Sequence, residues 1–293
     1  MDGDQQAGSG FASRKATLFA TALAIASVVI PFWFWMDTWF GKDLSDEQVR
    51  EYLTDSERPR RAQHAMAQIS GRMSAGDGSV KQWYPLLLDL SRHELPELRL
   101  TVAWLMGDDP SSDEFHAALL DLVADPHPLV RRNAALALAK FGDPAGRAEM
   151  RGMLQSYRVV SEHDGIVRNR LKPGDAFDSG ALLVRIEPED DGEPLDVRAA
   201  VPGIVDRQLH ADGDRVSSGD EVTLVRPEMT HVMQALLGLY MVGTSEDIGL
   251  IQPYQRPREE LGPQVAQQAR QTLERIRQVE RGQAAGAPAA ASN

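Results

Sequence analysis

The sequence predicts a chain that is mainly α with a β insertion, preceded by an N-terminal transmembrane helix. Three observations carry that reading. Ala16 to Met36 runs without a charge. An apolar pattern of helical period fills residues 45–154, recurs thirty-two positions apart, and returns near the C-terminus. Between those two stretches, residues 155–227 contain a short Gly-Asp phrase written twice, thirty-eight residues apart.

Composition bounds the function classes. At 293 residues the chain has room for one large or two ordinary domains. A formal net charge of −12 and a pI near 5.1 argue against nucleic acid, which requires a concentrated basic face. Cysteine is absent, which excludes disulfides, thiolate metal sites and cysteine nucleophiles.

The N-terminal element follows from length. Residues 1–15 read as a cytoplasmic tail, and the twenty-one residues 16–36, at about 1.5 Å each, make a helix of roughly 30 Å, the thickness of a bilayer core. Trp33, Trp35 and Trp39 crowd its C-terminal end, where amphipathic rings favour the lipid–water interface. Arg14 and Lys15 flank the start, so the positive-inside bias places the N-terminus in the cytoplasm and the bulk of the chain outside it. The expectation is a single-pass bacterial inner-membrane protein, contacting the lipid bilayer through residues 16–36 and largely periplasmic. A cleaved signal peptide competes, but no small-residue cleavage site follows the apolar run.

The helical part covers residues 45–154 and resumes over 228–281. Leu88-Asp89-Leu90, Pro96, Leu98-Arg99, Val102-Ala103 and Met106 recur as Leu120-Asp121-Leu122, Pro128, Val130-Arg131, Ala134-Ala135 and Leu138. Val49 to Ile69 reads as a divergent earlier unit, and Pro263, Val265, Ala269, Leu273 and Ile276 reproduce the spacing again. This pattern resembles HEAT repeats, in which two helices form one unit, with a proline near the turn between them and an arginine near the start of the second. Arg131-Arg132 is then expected to pair with carboxylates of the array. A half-unit remains on each side of the β segment, with Ala145 to Leu154 as a first helix and Pro227 to Met241 as a second. Met229, Met233, Leu237 and Tyr240 form one stripe of that second helix, and Met at helical spacing reads as core.

In the β segment, Gly165-Ile166-Val167 is followed by Gly174-Asp175, and Gly203-Ile204-Val205 by Gly213-Asp214. Each copy predicts a strand, a Gly-Asp turn and a second strand. Two such copies resemble the barrel-sandwich hybrid of biotinyl and lipoyl carrier domains and of membrane fusion (periplasmic adaptor) subunits. The whole then reads as a HEAT-like α-solenoid interrupted by a barrel-sandwich hybrid domain. In carriers, the hairpin between the halves presents a lysine that receives the cofactor. Here that hairpin contains Glu189, Asp190, Asp191 and Gly192, with no lysine, so no cofactor is expected. The tail 282–293 is Ala, Gly, Pro and Ser without a packing pattern, and is expected to be disordered.

Catalytic and metal signatures are missing. No pair of the seven histidines has helical zinc spacing, and no nucleophile elbow, P-loop or dinucleotide fingerprint occurs. The expectation is therefore a non-catalytic, membrane-anchored scaffold or accessory subunit. It would bind a larger membrane-protein complex through its array and its underivatised β-domain, with an export-adaptor role as the alternative.

Overall fold

Proline punctuates the helical part. The computed structural model describes residues 43–55, 57–188, 192–257 and 262–286, and the chain divides into two compact units, Met1–Glu51 and Tyr52–Asn293. In chain order the first helices are α1 (Asp46–Thr54), α2 (Pro59–Ser74), α3 (Tyr84–Leu90), α4 (Pro96–Met106), α5 (Asp113–Leu122), α6 (Pro128–Lys140) and α7 (Arg147–Met153). After the strands come α8 (Met229–Val242), α9 (Ile248–Ile251) and α10 (Pro263–Gly286). Ser45 and Gln48 close a capping box on α1, each side chain bonding the other's backbone N–H. Helices α2, α4, α6 and α10 all begin with proline, which loses nothing at a position whose N–H has no intrahelical acceptor.

These proline-led helices, together with α8, lie side by side in the order α2, α4, α6, α8, α10. Polar links cross the rows. The Gln63 amide lies 3.4 Å from the Thr101 hydroxyl, Asn133 donates to the Leu100 carbonyl at 3.0 Å, and buried Thr272 donates to the Leu236 carbonyl at 3.0 Å. Helices α7 and α8 are separated in sequence by all the strands, yet they share one apolar core. Met150, Met153 and Leu154 meet Val232, Ala235, Leu236 and Leu239 there, with Ala135 and Ala139 of α6 and Leu273 of α10. The Tyr254 hydroxyl ties the exit of α7 to the same body through the Leu154 carbonyl at 2.6 Å.

The strands are β1 (Tyr157–Val160), β2 (Gly165–Asn169), β3 (Ala176–Phe177), β4 (Leu182–Glu187), β5 (Leu195–Arg198), β6 (Gly203–Gln208), β7 (Arg215–Val216) and β8 (Glu221–Arg226). They form two four-stranded sheets, ordered β1-β8-β6-β3 and β5-β4-β2-β7. Advancing every strand by four turns one sheet into the other, so the duplicated phrase is a structural pseudo-twofold in which the first and third strands of each half join the second and fourth of the other. Gly174 N–H bonds the Val205 carbonyl at 2.8 Å, and its counterpart Gly213 bonds Val167 at 3.0 Å. The offset between copies grows from thirty-eight at Gly165/Gly203 to thirty-nine at Gly174/Gly213. The pairing of β6 with β8 skips Asp206, and that bulge absorbs the extra residue without turning the inward face outward. Val167, Val184, Ile186, Val205, Val222 and Val225 form a core separate from that of the helices.

Two expectations are corrected. The described residues are about 55% helical with two antiparallel sheets, and no helix among them is long and apolar enough to cross a membrane. Helix α8 is the strongly apolar one, but its 14 residues span only about 21 Å against the roughly 30 Å of a bilayer core. Helix α10 has 24 residues but exposes Gln, Arg and Glu along much of its length. The transmembrane helix and the single-pass inner-membrane location read from the sequence are therefore not retained. Ala16 to Met36 and the interface residues Trp33, Trp35 and Trp39 lie outside the described residues, as do the hairpin residues Glu189, Asp190 and Asp191 and the end of the tail.

Candidate interaction surfaces

The array is held in register by a repeated arginine device at the starts of its proline-led helices. Arg99 on α4 grips Asp125 of the following unit through Nε at 2.6 Å and Nη2 at 2.9 Å, while Nη1 donates to the carbonyls of His93 and Glu94. Thirty-two residues on, Arg131 repeats the arrangement: Nε meets Glu149 at 2.7 Å and Nη1 donates to the carbonyls of Asp125 and Pro126. The expected pairing of Arg131 is found, and Glu149 on α7 supplies the carboxylate. Burial alone would raise the Asp125 carboxyl. The Arg99 fork and the His127 N–H outweigh it and hold the carboxyl below the usual range.

The opposite ends of the same helices are bridged in parallel. Asp108 accepts from Ser70 at 2.6 Å and from Lys140 at 3.1 Å, linking the C-terminal turns of α2, α4 and α6. These bridges tie α2, α4 and α6 together, and the array carries exposed apolar side chains on α4 and α8. Trp104 on α4 is 52% exposed; Leu237, Tyr240 and Met241 on α8 are 43%, 42% and 48% exposed. Leu136, half-buried on α6, holds the position of Trp104 one repeat later. A groove of about 400 Å³ follows between α8 and α10, lined by Leu237, Tyr240, Gln271 and Arg275 among others.

This face reverses part of the reading of α8. Met229 and Met233 pack on the core as expected, but Leu237 and Tyr240 point to solvent, and the buried stripe is Val232, Ala235, Leu236 and Leu239. Apolar residues surround α8, so periodicity alone does not choose its inward side. Gly238 does. A Cβ there would sit 2.2 Å from the Met150 sulfur, and the missing side chain lets α7 approach.

Where the β segment meets the array, Tyr157 is the central side chain. Its hydroxyl donates to the Val201 carbonyl at 3.2 Å, and burial pushes its pKa up to about 12, opposed by the nearby Arg132 guanidinium. Burial lowers Arg132 in turn. His231 at the start of α8 is also lowered, first by burial and further by Arg132, against the pull of Glu228, 3.2 Å away, and of Asp178.

The sequence-predicted turn residues have structural roles. Gly174 and Gly213 adopt φ of +94° and +95°. Asp175 and Asp214 close those turns by accepting the N–H of Lys172 and Ala211 at 2.8 and 2.7 Å. Gly165 and Gly203 start equivalent strands where a Cβ would meet the Glu187 carbonyl oxygen and the Val225 methyl, each at 2.5 Å. His163 and Asp164 lie in the loop before β2, where Asp164 accepts the Ser218 N–H at 2.7 Å and acts as a staple between loops. Gly192 is exposed. Among the described residues no group of three or more His, Asp or Glu is placed to hold a metal ion.

Residues 84–164 match the HEAT repeat family. That stretch begins at α3 and contains both arginine grips. No curated protein matches the chain. Among solved structures, the ectoine utilization protein EutE (DoeB) from Ruegeria pomeroyi is 34% identical over 24% of this chain and 22% of its own, with a TM-score of 0.22. The urea carboxylase of Kluyveromyces lactis is 28% identical over 24% of this chain and 6% of its own, at 0.23. A succinylglutamate desuccinylase from Silicibacter sp. TM1040 is 23% identical over 34% and 32%, at 0.22. The chain thus spans less than a third of each of these relatives, and likenesses of this extent carry no argument about its activity.

Proposed function

We propose that this chain is a non-catalytic scaffold or accessory subunit that binds a larger protein assembly through the exposed face of its stacked proline-led helices. In this reading the segment 157–226 is an underivatised barrel-sandwich hybrid inserted between the two helices of one repeat. The pseudo-twofold strand exchange, the shared core of α7 and α8, and the absence of lysine between Glu187 and Leu195 support it. The observation that carries the binding role is the run of exposed Trp104, Leu237, Tyr240 and Met241 on neighbouring helices of the array, of which α4 is bridged to α6 at both ends and α8 is packed into the shared apolar core. Large apolar side chains clustered on a rigid surface are where partner binding energy concentrates.

Affinity purification of the full chain from its native cell, followed by mass spectrometry, tests the reading. The wild type is expected to bring down a stoichiometric partner. Leu237→Arg combined with Tyr240→Ala is expected to lose that partner about 30-fold or more, on the scale of about 2 kcal/mol for an interface anchor, with unchanged thermal unfolding. Recovery of the wild type as a free monomer at every salt concentration, or full retention of the partner by the variant, refutes the proposal.

A further inference from the structure

Three arginines crowd the start of α2, and the repeat gives two of them nothing to hold. Pro59 corresponds to Pro96 and Pro128, so the place of the gripping Arg99 and Arg131 falls on Ala62. His93 stands thirty-two positions before Asp125 and keeps only the backbone part of its work. Its Nδ1 accepts the Leu95 N–H at 3.0 Å, as the Asp125 carboxylate accepts the His127 N–H at 2.8 Å. The junction of α2 with α4 thus has neither partner of the arginine–carboxylate grip. An open cavity of about 610 Å³ lies at this junction, lined by Arg58, Pro59, Arg60, Arg61 and Gln63 on one side and by Leu95 and Glu97 on the other. Arg61 is already engaged, 3.3 Å from Asp55 and 5.0 Å from the centre of the Tyr52 ring. Arg58 and Arg60 are exposed and hold no hydrogen bond or ion pair among the described residues. Glu97 is the one carboxylate of the lining; Glu57, next to Arg58 in the chain, lies outside it.

We infer that this cavity is a second docking site, which takes an acidic segment of a partner protein whose carboxylates flank an apolar side chain. The first argument is charge. Once Arg61 is set against Asp55, two uncommitted guanidiniums face one carboxylate, in a chain whose net charge is −12. A guanidinium fork matches a carboxylate in two parallel hydrogen bonds, and Arg99 makes that contact with Asp125 one unit further on. The second argument is the wall. Pro59, Leu95 and the arginine stems offer apolar surface to a side chain lying between the carboxylates. The Gln63 amide nitrogen faces the Thr101 hydroxyl at 3.4 Å, which leaves its oxygen to accept a backbone N–H of the segment. Glu97 sets this ligand apart from a phosphate-rich surface, because separate carboxylates can keep to the arginine side while dense negative charge presses against Glu97. The inference rests on reading the chain as a scaffold, but it concerns a surface other than the apolar face of the array.

The test is selection of a phage-displayed random peptide library on the full chain, followed by fluorescence anisotropy with the synthetic consensus peptide, with phosphatidylglycerol vesicles as a second probe. Expected are peptides in which Asp or Glu surrounds an aliphatic or aromatic residue. Affinity should fall about tenfold when Arg58→Gln and Arg60→Gln are combined, rise about threefold on Glu97→Gln, and stay unchanged on L237R. The opposite signs of the first two effects separate a cavity that reads charge from a variant that has unfolded. A consensus without acidic residues, undiminished binding by the double arginine variant, or weaker binding by E97Q overturns the inference. Arginine-dependent binding of the vesicles with no peptide enriched assigns the surface to lipid and overturns it as well. A peptide lost only on L237R belongs to the apolar face, which overturns the cavity site while leaving the scaffold reading standing.

Discussion

Replacing Arg99 with methionine is predicted to destabilise the chain far more than the same change at Arg131, although the two residues are equivalent in sequence. The Arg99 and Asp125 side chains are 13% and 6% exposed, whereas Arg131 and Glu149 are 30% and 26% exposed. R99M leaves a buried carboxylate without its cation, which costs about 3–5 kcal/mol. R131M opens a partly solvated pair and costs about 1 kcal/mol. Adding Asp125→Asn to R99M removes the stranded charge, so the double variant should be more stable than the sum of the single changes by about 2 kcal/mol. The pH dependence has a definite sign. In the wild type the folded Asp125 carboxyl lies below its ordinary value, so its contribution is complete above the unfolded value of about 3.9 and is lost as pH falls through the lower folded value. The gap between wild type and R99M should therefore be widest near neutral pH and close in acid. Guanidinium unfolding followed by circular dichroism at several pH values reads all of this. Equal losses for R99M and R131M at pH 7 would refute the argument that burial separates the two grips.

Gly165→Ala should cost about 2–3 kcal/mol, because its Cβ meets the Glu187 backbone oxygen at 2.5 Å. Its counterpart Gly203→Ala meets a valine methyl first and a backbone oxygen only at 3.2 Å, so it should cost about half as much; thermal unfolding ranks the two. His231 has a folded pKa below its ordinary 6.5. The unfolded chain therefore takes up the proton first, and the stability held by neutral His231 declines as pH falls below 6.5. His231→Gln should flatten that part of the stability–pH curve, and an unaltered slope would exclude the histidine as its source.

The arrangement of the helices was legible because its determinants are local. Proline at the start of the second helices, arginine three residues later and the alternation of alanine with leucine mark the repeat, and Arg131 found its carboxylate as its position implied. The duplicated Gly-Asp turns were equally legible, since positive φ and an aspartate closing its own turn are properties of four consecutive residues. The strand exchange was not. Residues 176–177 and 215–216 are too short to carry a pattern, and only pairing with the other half gives them a place. The uncharged run Ala16 to Met36 suggested a span from its length, its apolarity and its flanking residues; it lies outside the described residues, and no helix among them has the combination of length and apolarity that crossing a bilayer requires.

The sequence by itself determined the units: which stretches are helix or strand, where they turn, and which arginines need carboxylates, since each depends on neighbours within a few positions. Only the tertiary structure decided how the units are used. It chose the inward side of α8 through the contact of Gly238 with Met150, set the unequal burial of the ion pairs of two sequence-equivalent arginines, and seated the Tyr157 hydroxyl on the Val201 carbonyl. Those outcomes depend on residues brought together from distant parts of the chain, and the energy of burial exists only once they have met.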